Sequence, residues 1–305
     1  MIVTVTPNIA LDITYSLDSF ELYSAMRVYD VAERAGGKGI NVSRVLHTLG
    51  ISTMTVGMVG GVVGAAITAD LVESNIDHRL GRLEGQTRRS IGIVDRSVGD
   101  ATVLNEAGPH VSEDEWARLI TLVREQLATA SVLVISGSLP PAAPSEGVGQ
   151  LAALAAEAGI PAIVDTSGAA LIGAVEVGKP ALVKPNIHEL ADALGTNDPV
   201  AGGRELIMRG AGAVAVSMGA EGMAIITGEQ CWRAKPPEFI KGNPTGAGDA
   251  SVSALAAGLA EHKSWDECLR NAVALSAAAV AHPQAGSFDD DVYRRLLDTT
   301  HVEEF

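Results

Sequence analysis

The chain has 305 residues, 37 of them acidic against 22 Lys and Arg, for a formal net charge of −15. That balance repels nucleic acid and anionic membrane, and no basic stripe with interleaved aromatics offsets it. Apolar residues make up 47% and aromatics only 4%, so the core is built from Ala, Val, Leu and Ile at close backbone distances, which excludes a disordered chain.

The run Met1 to Asn8 carries no basic region and meets a turn too early for a signal peptide. Export is therefore not expected, and the protein reads as cytoplasmic. Arg27 to Glu33 alternates polar and apolar side chains, and Arg89 to Asp95 does so more loosely before a turn at Ser97–Asp100 and a return through Ala101 to Leu104. These segments predict antiparallel strands with one wet face, a small β lid drawn from about 12–34 and 87–105. A surface hairpin without function has the same periodicity.

From Gly50 onward apolar runs alternate with helical stretches, the rhythm of an α/β fold whose mostly parallel sheet is flanked by helices on both faces. Strands are predicted near Thr53–Val59, Val132–Ser136, Ala162–Asp165, Leu182–Val183 and Ala213–Ser217, with helices over Gly64–Asn75, Ser145–Ala158, Asn186–Leu194 and Val200–Arg209. A hairpin, Gly222–Thr227 with Gln230–Ala234, precedes two final helices, Gly246–Glu261 and Ser264–Ala281. No repeat or linker interrupts this order, so one domain over 1–305 is expected. The longest uncharged run, Gln126 to Ser145, has the length of a membrane span but contains Gly137, Pro140, Pro141 and Pro144. It reads as a buried strand leading into a loop. Cys231 and Cys268 supply neither a disulfide framework nor a metal quartet and read as small buried apolar residues.

The most informative run is Gly242-Asn243-Pro244-Thr245-Gly246-Ala247-Gly248-Asp249, opening into an Ala-rich helix. Small residues let successive backbone N–H groups converge at a helix N-terminus, where an anion can sit without any side chain. A carboxylate beside such an anion is electrostatically costly, and its natural use is to take a proton from a hydroxyl attacking phosphorus. The competing reading of Asp249 is a plain helix-capping Asp after a Gly-rich turn. A second Gly cluster, Ala35-Gly36-Gly37-Lys38-Gly39-Ile40-Asn41, also feeds an amphipathic helix. Neither junction is a Walker loop or a Gly-x-Gly-x-x-Gly dinucleotide fingerprint, and Ser136-Gly137-Ser138 is not a serine-hydrolase elbow. The seven histidines show no paired metal spacing.

Taken together, the two junctions resemble the signature motifs of the ribokinase-like (phosphofructokinase B) carbohydrate kinases. The wording Gly-Gly-Lys-Gly-Ile-Asn-Val is similar to the branch containing 1-phosphofructokinase and tagatose-6-phosphate kinase. Further matches occur in order along the chain: Thr6 to Asp12, Thr87-Arg88, Leu104-Asn105, Ser136 to Pro141, Lys184-Pro185-Asn186 with Glu189, and Ser217-Met218-Gly219 with Gly222. The resemblance implies an ATP- and Mg2+-dependent kinase whose substrate is a small sugar or sugar phosphate, with Asp249 as general base and the Gly246, Ala247 and Gly248 backbone as the hole for developing charge. It further implies that Lys184, Asn186, Ser217, Gly219, Gly222 and Asn271 contact nucleotide. Asn186 and Glu189 help bind magnesium through water on the same reading; a capping box is the competing account of the pair and both can hold, the metal role being favoured because hydrated magnesium is usually held by few carboxylates plus phosphate. On the sugar side it implies Asp12 on the hydroxyls, Gly37, Lys38 and Asn41 near the sugar and its phosphate, and Arg27 and Arg88 as a phosphate clamp of planar guanidiniums. In some members the lid strands pair between subunits, so a homodimer through the lid is an expectation here.

The chain departs from the family where Asn243-Pro244-Thr245 replaces the usual Asp-Thr or Ser-Thr, where Ala142 follows Pro141 in place of Gly, and where Ala25 stands at a position that carries a sugar-contacting Lys in some relatives. The leading expectation is a kinase acting on fructose 1-phosphate or tagatose 6-phosphate. Its rivals are a kinase for an unphosphorylated sugar or nucleoside, a catalytically silent sugar-phosphate-binding protein, and a nicotinamide oxidoreductase on a similar sheet.

Overall fold

A computed structural model describes all residues, 1–305. Strand β1 (Ile2–Thr6) alternates β-branched apolar residues with Thr and is buried at every position, as a strand covered on both faces must be. The chain then leaves for β2 (Ala10–Leu17) and β3 (Asp30–Gly36) before helix α1 (Lys38–Thr48) returns it to β4 (Thr53–Val59), α2 (Gly61–Glu73) and β5 (His78–Arg82). A second departure forms β6 (Arg88–Asp95) and β7 (Asp100–Asn105). Helix α3 (Glu113–Gln126), β8 (Val132–Ser136), α4 (Gly147–Glu157), β9 (Ala162–Asp165), α5 (Gly168–Gly173) and β10 (Leu182–Val183) follow. After α6 (Ile187–Leu194), α7 (Pro199–Arg209) and β11 (Ala213–Ser217), the chain folds back through β12 (Met223–Ile226) and β13 (Cys231–Ala234). Helices α8 (Ala247–Ala260), α9 (Trp265–Val280) and α10 (Asp290–Thr299) precede the last strand, β14 (Val302–Glu304).

The main sheet has the order β14-β13-β12-β11-β10-β9-β8-β1-β4-β5. It is parallel from β5 to β11, and only the last three strands run antiparallel. Alternate residues of each strand enter two separate cores. Leu133 and Ile135 face α3 to α7 on one side, and Val132 and Val134 face α1, α8 and α9 on the other. The second layer is Ala-rich, and its helices approach closely: a methyl group added at Gly258 of α8 would collide with Cys268 Sγ of α9. No helix is long and apolar enough to cross a membrane.

The small sheet has the order β3-β2-β6-β7. Its outer pairs are antiparallel, but β2 and β6 run parallel, a difference from the expected all-antiparallel lid. Between them the chain crosses the main sheet through β4 and β5, so no hairpin constrains their relative direction. Strand β3 begins at Asp30 because its partner β2 ends at Leu17, leaving Ser16 to pair with Asp30. Arg27, predicted inside that strand, precedes it. Apolar residues of one lid face, Leu11, Ile13 and Ala35, pack on Ile40 of α1 and on Val63, Ile67 and Leu71 of α2. Beneath this contact the buried guanidinium of Arg44 in α1 donates to Ala35 O and to Ser74 Oγ and pairs with Asp70 of α2, which also accepts from Ala35 N. That knot holds the turn into α1 in place.

Candidate active site

The N-termini of α1 and α8 open on one cleft of about 1540 Å³, at the carboxyl ends of the parallel strands, where open α/β sheets place their ligands. Helix α8 starts from Gly246 at φ 89°, a left-handed conformation that glycine adopts without strain. The Ala247 N–H donates to Pro244 O at 3.2 Å. The N–H groups of Gly246, Gly248 and Asp249 have no backbone or side-chain acceptor, so a fan of donors faces the cleft. At α1 the turn Gly36-Gly37 packs against β2: a methyl group at Gly36 would overlap the Asp12 carboxylate, and Gly37 has φ 98°.

Asp249 lies in the first turn of α8 and is only 6% exposed. Its Oδ2 accepts from Asn41 Nδ2 in α1 at 2.9 Å. Burial pushes its carboxyl up to about 7, with the like charge of Asp165 adding to the effect and Lys38, Asn41 and Lys184 opposing it. Asp12 on β2 is raised to about 6 by burial, against the pull of Arg88, the Gly37 amide and Arg34. Burial and the neighbouring Arg44 lower Arg34 to about 10.

A third carboxylate behaves oppositely. Asp165, at the end of β9 and 1% exposed, has Lys38 Nζ at 3.4 Å from Oδ2 and Lys184 Nζ at 3.4 Å from Oδ1. Ser136 Oγ donates to its Oδ2 at 3.0 Å. Burial alone would raise this acid, yet the two ammonium groups and the hydroxyl hold it below the usual carboxylate range. Asp165 in turn holds Lys38 well above its ordinary value against burial, with help from Glu189 and Asp249.

Helix α6 starts with a full capping box: Asn186 Oδ1 accepts from the His188 and Glu189 amides at 2.9 Å, and Glu189 Oε2 accepts from Asn186 N at 2.9 Å. Glu189 Oε1 takes no part in the cap and lies 3.7 Å from Lys38 Nζ. On the lid, Arg34, Asp12, Ser90 and Asn105 are cross-strand partners in one row over β3, β2, β6 and β7, and therefore share a face. Arg88, two residues before Ser90, shares that face, and its guanidinium donates to Asn8 O at 3.2 Å and Glu106 O at 3.4 Å.

The cleft gathers Asp12, Gly37, Lys38, Asn41, Arg88, Lys184, Asn186, Glu189, Ser217, Gly219, Gly222, Gly246, Ala247, Gly248 and Asp249. Two predicted residues lie elsewhere. Arg27 is exposed ahead of β3 and does not reach the cleft wall. Asn271 donates to Glu267 O at 2.8 Å and accepts from Tyr293 OH at 2.9 Å, tying α9 to α10. The cleft side of α9 is instead Val273, Ser276, Ala277 and Val280, one helical stripe away. Lys38, expected beside the sugar phosphate, is half-buried on the cleft wall with its ammonium 3.4 Å from Asp165 and 3.7 Å from Glu189, the two countercharges within its reach. Asp165 and Ser90 had no sequence assignment, and Asn105 entered only through the Leu104-Asn105 motif match, with no role attached. A charged residue ending a buried parallel strand is the signal that marks Asp165.

A donor fan at one helix N-terminus, a buried acid able to hold or release a proton near neutrality, and cations between them define a phosphotransferase acting on an alcohol. Residues 6–291 match the pfkB family carbohydrate kinase, and the chain belongs to that family of ATP-using sugar and sugar-phosphate kinases. Phosphofructokinase-2 from Escherichia coli in complex with potassium aligns at a TM-score of 0.90 and 30% identity over 98% of both chains. The same enzyme in complex with fructose-6-phosphate aligns at 0.87 and 30% over 98% of both chains. A possible 1-phosphofructokinase from Thermotoga maritima aligns at 0.90 and 27% over 100% of this chain and 99% of that one.

A carboxyl raised to about 7 in the fold from 3.8 otherwise favours folding while protonated, and that contribution is lost as pH climbs from about 4 through about 7. Asp249→Asn is therefore expected to be more stable to urea than the wild type at pH 8, by up to about 4 kcal/mol, with the gap closing near pH 4. Equal gaps at both pH values would contradict the buried, neutralised state of this acid.

Proposed function

We propose that the protein transfers the terminal phosphate of ATP to a hydroxyl of a ketohexose phosphate, fructose 1-phosphate or tagatose 6-phosphate, with Asp249 as general base. The observation that carries this reading is the Asp249 carboxylate, buried at the N-terminus of α8, held by Asn41 and balanced near neutrality. Asp249 takes the proton of the attacking hydroxyl as its oxygen bonds to the γ-phosphorus and the bond to the departing ADP breaks. Charge moving onto the phosphoryl oxygens meets the free amides of Gly246, Gly248 and Asp249, with Ala247 contributing once its bond to Pro244 is exchanged. Lys38 and Lys184 face the same space from the floor.

The donor set also fits magnesium. This ion is usually held by one or two carboxylates with substrate phosphates and water, and Glu189 Oε1 is an uncapped carboxylate oxygen in the cleft. Asn186, whose Oδ1 already accepts two amides, would reach the ion only through water. When bound, magnesium supplies charge neutralisation on the phosphates.

A phosphorylated acceptor is supported by Arg88 on the lid face beside Asp12, and by the similarity to an enzyme crystallised with fructose-6-phosphate. Arg88→Ala should raise KM for the phosphosugar by at least ~30-fold and leave KM for ATP unchanged, since a bidentate guanidinium–phosphate pair contributes a few kcal/mol. A kinase for free sugars or nucleosides would show no such loss. The general base is tested by kcat against pH. Turnover should fall with unit slope below about 7, and Asp249→Ala should lower kcat by ~100-fold or more with little change in substrate binding. A coupled ADP-release screen over free and phosphorylated hexoses, silent throughout, would instead support a non-catalytic sugar-phosphate-binding protein.

The lid also carries exposed apolar side chains: Leu22 is 69% exposed, Tyr29 85% and Leu104 55%. Large apolar side chains left exposed on one appendage fit an association surface, and we assign them to a homodimer paired lid to lid. Leu22→Asp should shift sedimentation toward monomer; a wild type that is monomeric at micromolar concentration would refute the pairing.

A further inference from the structure

The Asp165 carboxylate takes partners from three separate elements. Ser136 Oγ, on the neighbouring strand β8 and in register with it, donates to Oδ2 at 3.0 Å. Lys38 Nζ, from the first turn of α1, stands 3.4 Å from the same oxygen, and Lys184 Nζ, just beyond β10, stands 3.4 Å from Oδ1. Oδ1 is buried and accepts no hydrogen bond. Lys184 is 3% exposed, and an ammonium at that depth without an anion beside it is strongly disfavoured.

A lysine stem has four rotatable carbons, and its head is a point charge without fixed orientation. One fixed anion between two such heads removes that freedom from both. Each ammonium has three N–H donors, so either can keep Asp165 on one side while turning the others toward a phosphate.

We propose that Asp165 is a positioning residue for phosphoryl transfer, holding Lys38 and Lys184 aimed at the space between the α8 amides and Glu189 without itself touching the moving group. The inference rests on the kinase reading of Asp249. A carboxylate with only a structural role would stabilise the fold and influence binding and turnover alike. A positioning carboxylate acts on turnover selectively, because it repels the ATP phosphates in the ground state and aligns cations where charge shifts in the transition state.

The test is Asp165→Asn in the full chain, with kcat measured against the preferred sugar phosphate and ATP affinity measured separately by calorimetry. The expected result is a kcat loss of at least ~100-fold with an ATP dissociation constant unchanged or tighter, since the removed charge has the sign of the ligand. In a Lys38→Met background the same substitution should cost less than in the wild type, because the part of its effect carried by the Lys38 contact is already gone while the Lys184 contact remains. Ser136→Ala, a gentler change should Asp165→Asn fail to fold, is expected to lower kcat by ~3- to 10-fold at constant ATP affinity, in line with loss of one hydrogen bond. A kcat equal to wild type, or a kcat loss matched by weaker ATP binding and a lower melting temperature, overturns the inference. A wild type without turnover on any sugar overturns the kinase reading as well, which separates the two failures.

Discussion

Two helices that begin side by side govern the whole cleft. The N-termini of α1 and α8 are joined by the Asn41–Asp249 hydrogen bond, and a turn further along α8 Ser253 Oγ donates both to Val42 O at 3.2 Å and to Asp249 O at 2.8 Å. Helix axes come this close only where the facing side chains are small. The abundance of Ala and Gly with few aromatics is therefore the composition that such a junction requires. Larger side chains on α8 would separate the two donor ends and leave Asp249 without its amide partner.

Burial of charge is the second constraint, and it treats two neighbouring acids in opposite ways. Asp249 has one hydrogen bond and lies among cations that do not touch it, so desolvation dominates and its proton is held until about pH 7. Asp165, deeper in the same cleft, sits against two ammonium groups and stays ionised. Titratable groups pushed apart by their environments are fitted to different tasks, here a carboxyl raised toward neutrality and an anion held ionised. The capping of α6 belongs to the same economy of groups, because one oxygen of Glu189 completes the helix start while the other stays turned to the cleft.

The lid depends on the main sheet rather than standing apart from it. Its apolar face rests on α1 and α2, and the Arg44–Asp70–Ala35 knot fixes β3 to both helices. The strand register then carries Asp12, Ser90 and Asn105 across the cleft mouth in a single row. Arg34 extends the row and donates to Gln284 Oε1 at 3.2 Å, linking this face of the lid to the loop between α9 and α10. The cleft-facing row of the lid and the geometry of α1 are thus mechanically joined through β3.

Most of the parallel sheet was legible because its strands are buried on both faces and read as short apolar runs, as Ala213–Ser217 and Val132–Ser136 did. Helix α3 went unread although its capping box, Ser112 with Glu115, is written in the chain. Strand β14 had no such sign, since its three residues become a strand only by pairing with β13 at the sheet edge. The Gly-rich turns, the two helix starts and Asp249 follow from local chemistry, because φ preference, free amides and capping depend on near neighbours in the chain. Which acid meets which base does not. Lys38 and Asp165 are far apart in sequence, as are Asn41 and Asp249, and a side chain on a helix end or strand end can be satisfied by any of several partners until packing selects one. The sequence by itself determined the fold class and the kind of chemistry. Only the tertiary structure decided that Lys38 turns to Asp165 and Glu189, that Arg27 and Asn271 stay out of the cleft, and that Asp249 loses its solvent, because long-range burial sets the cost of each charge and therefore its partner.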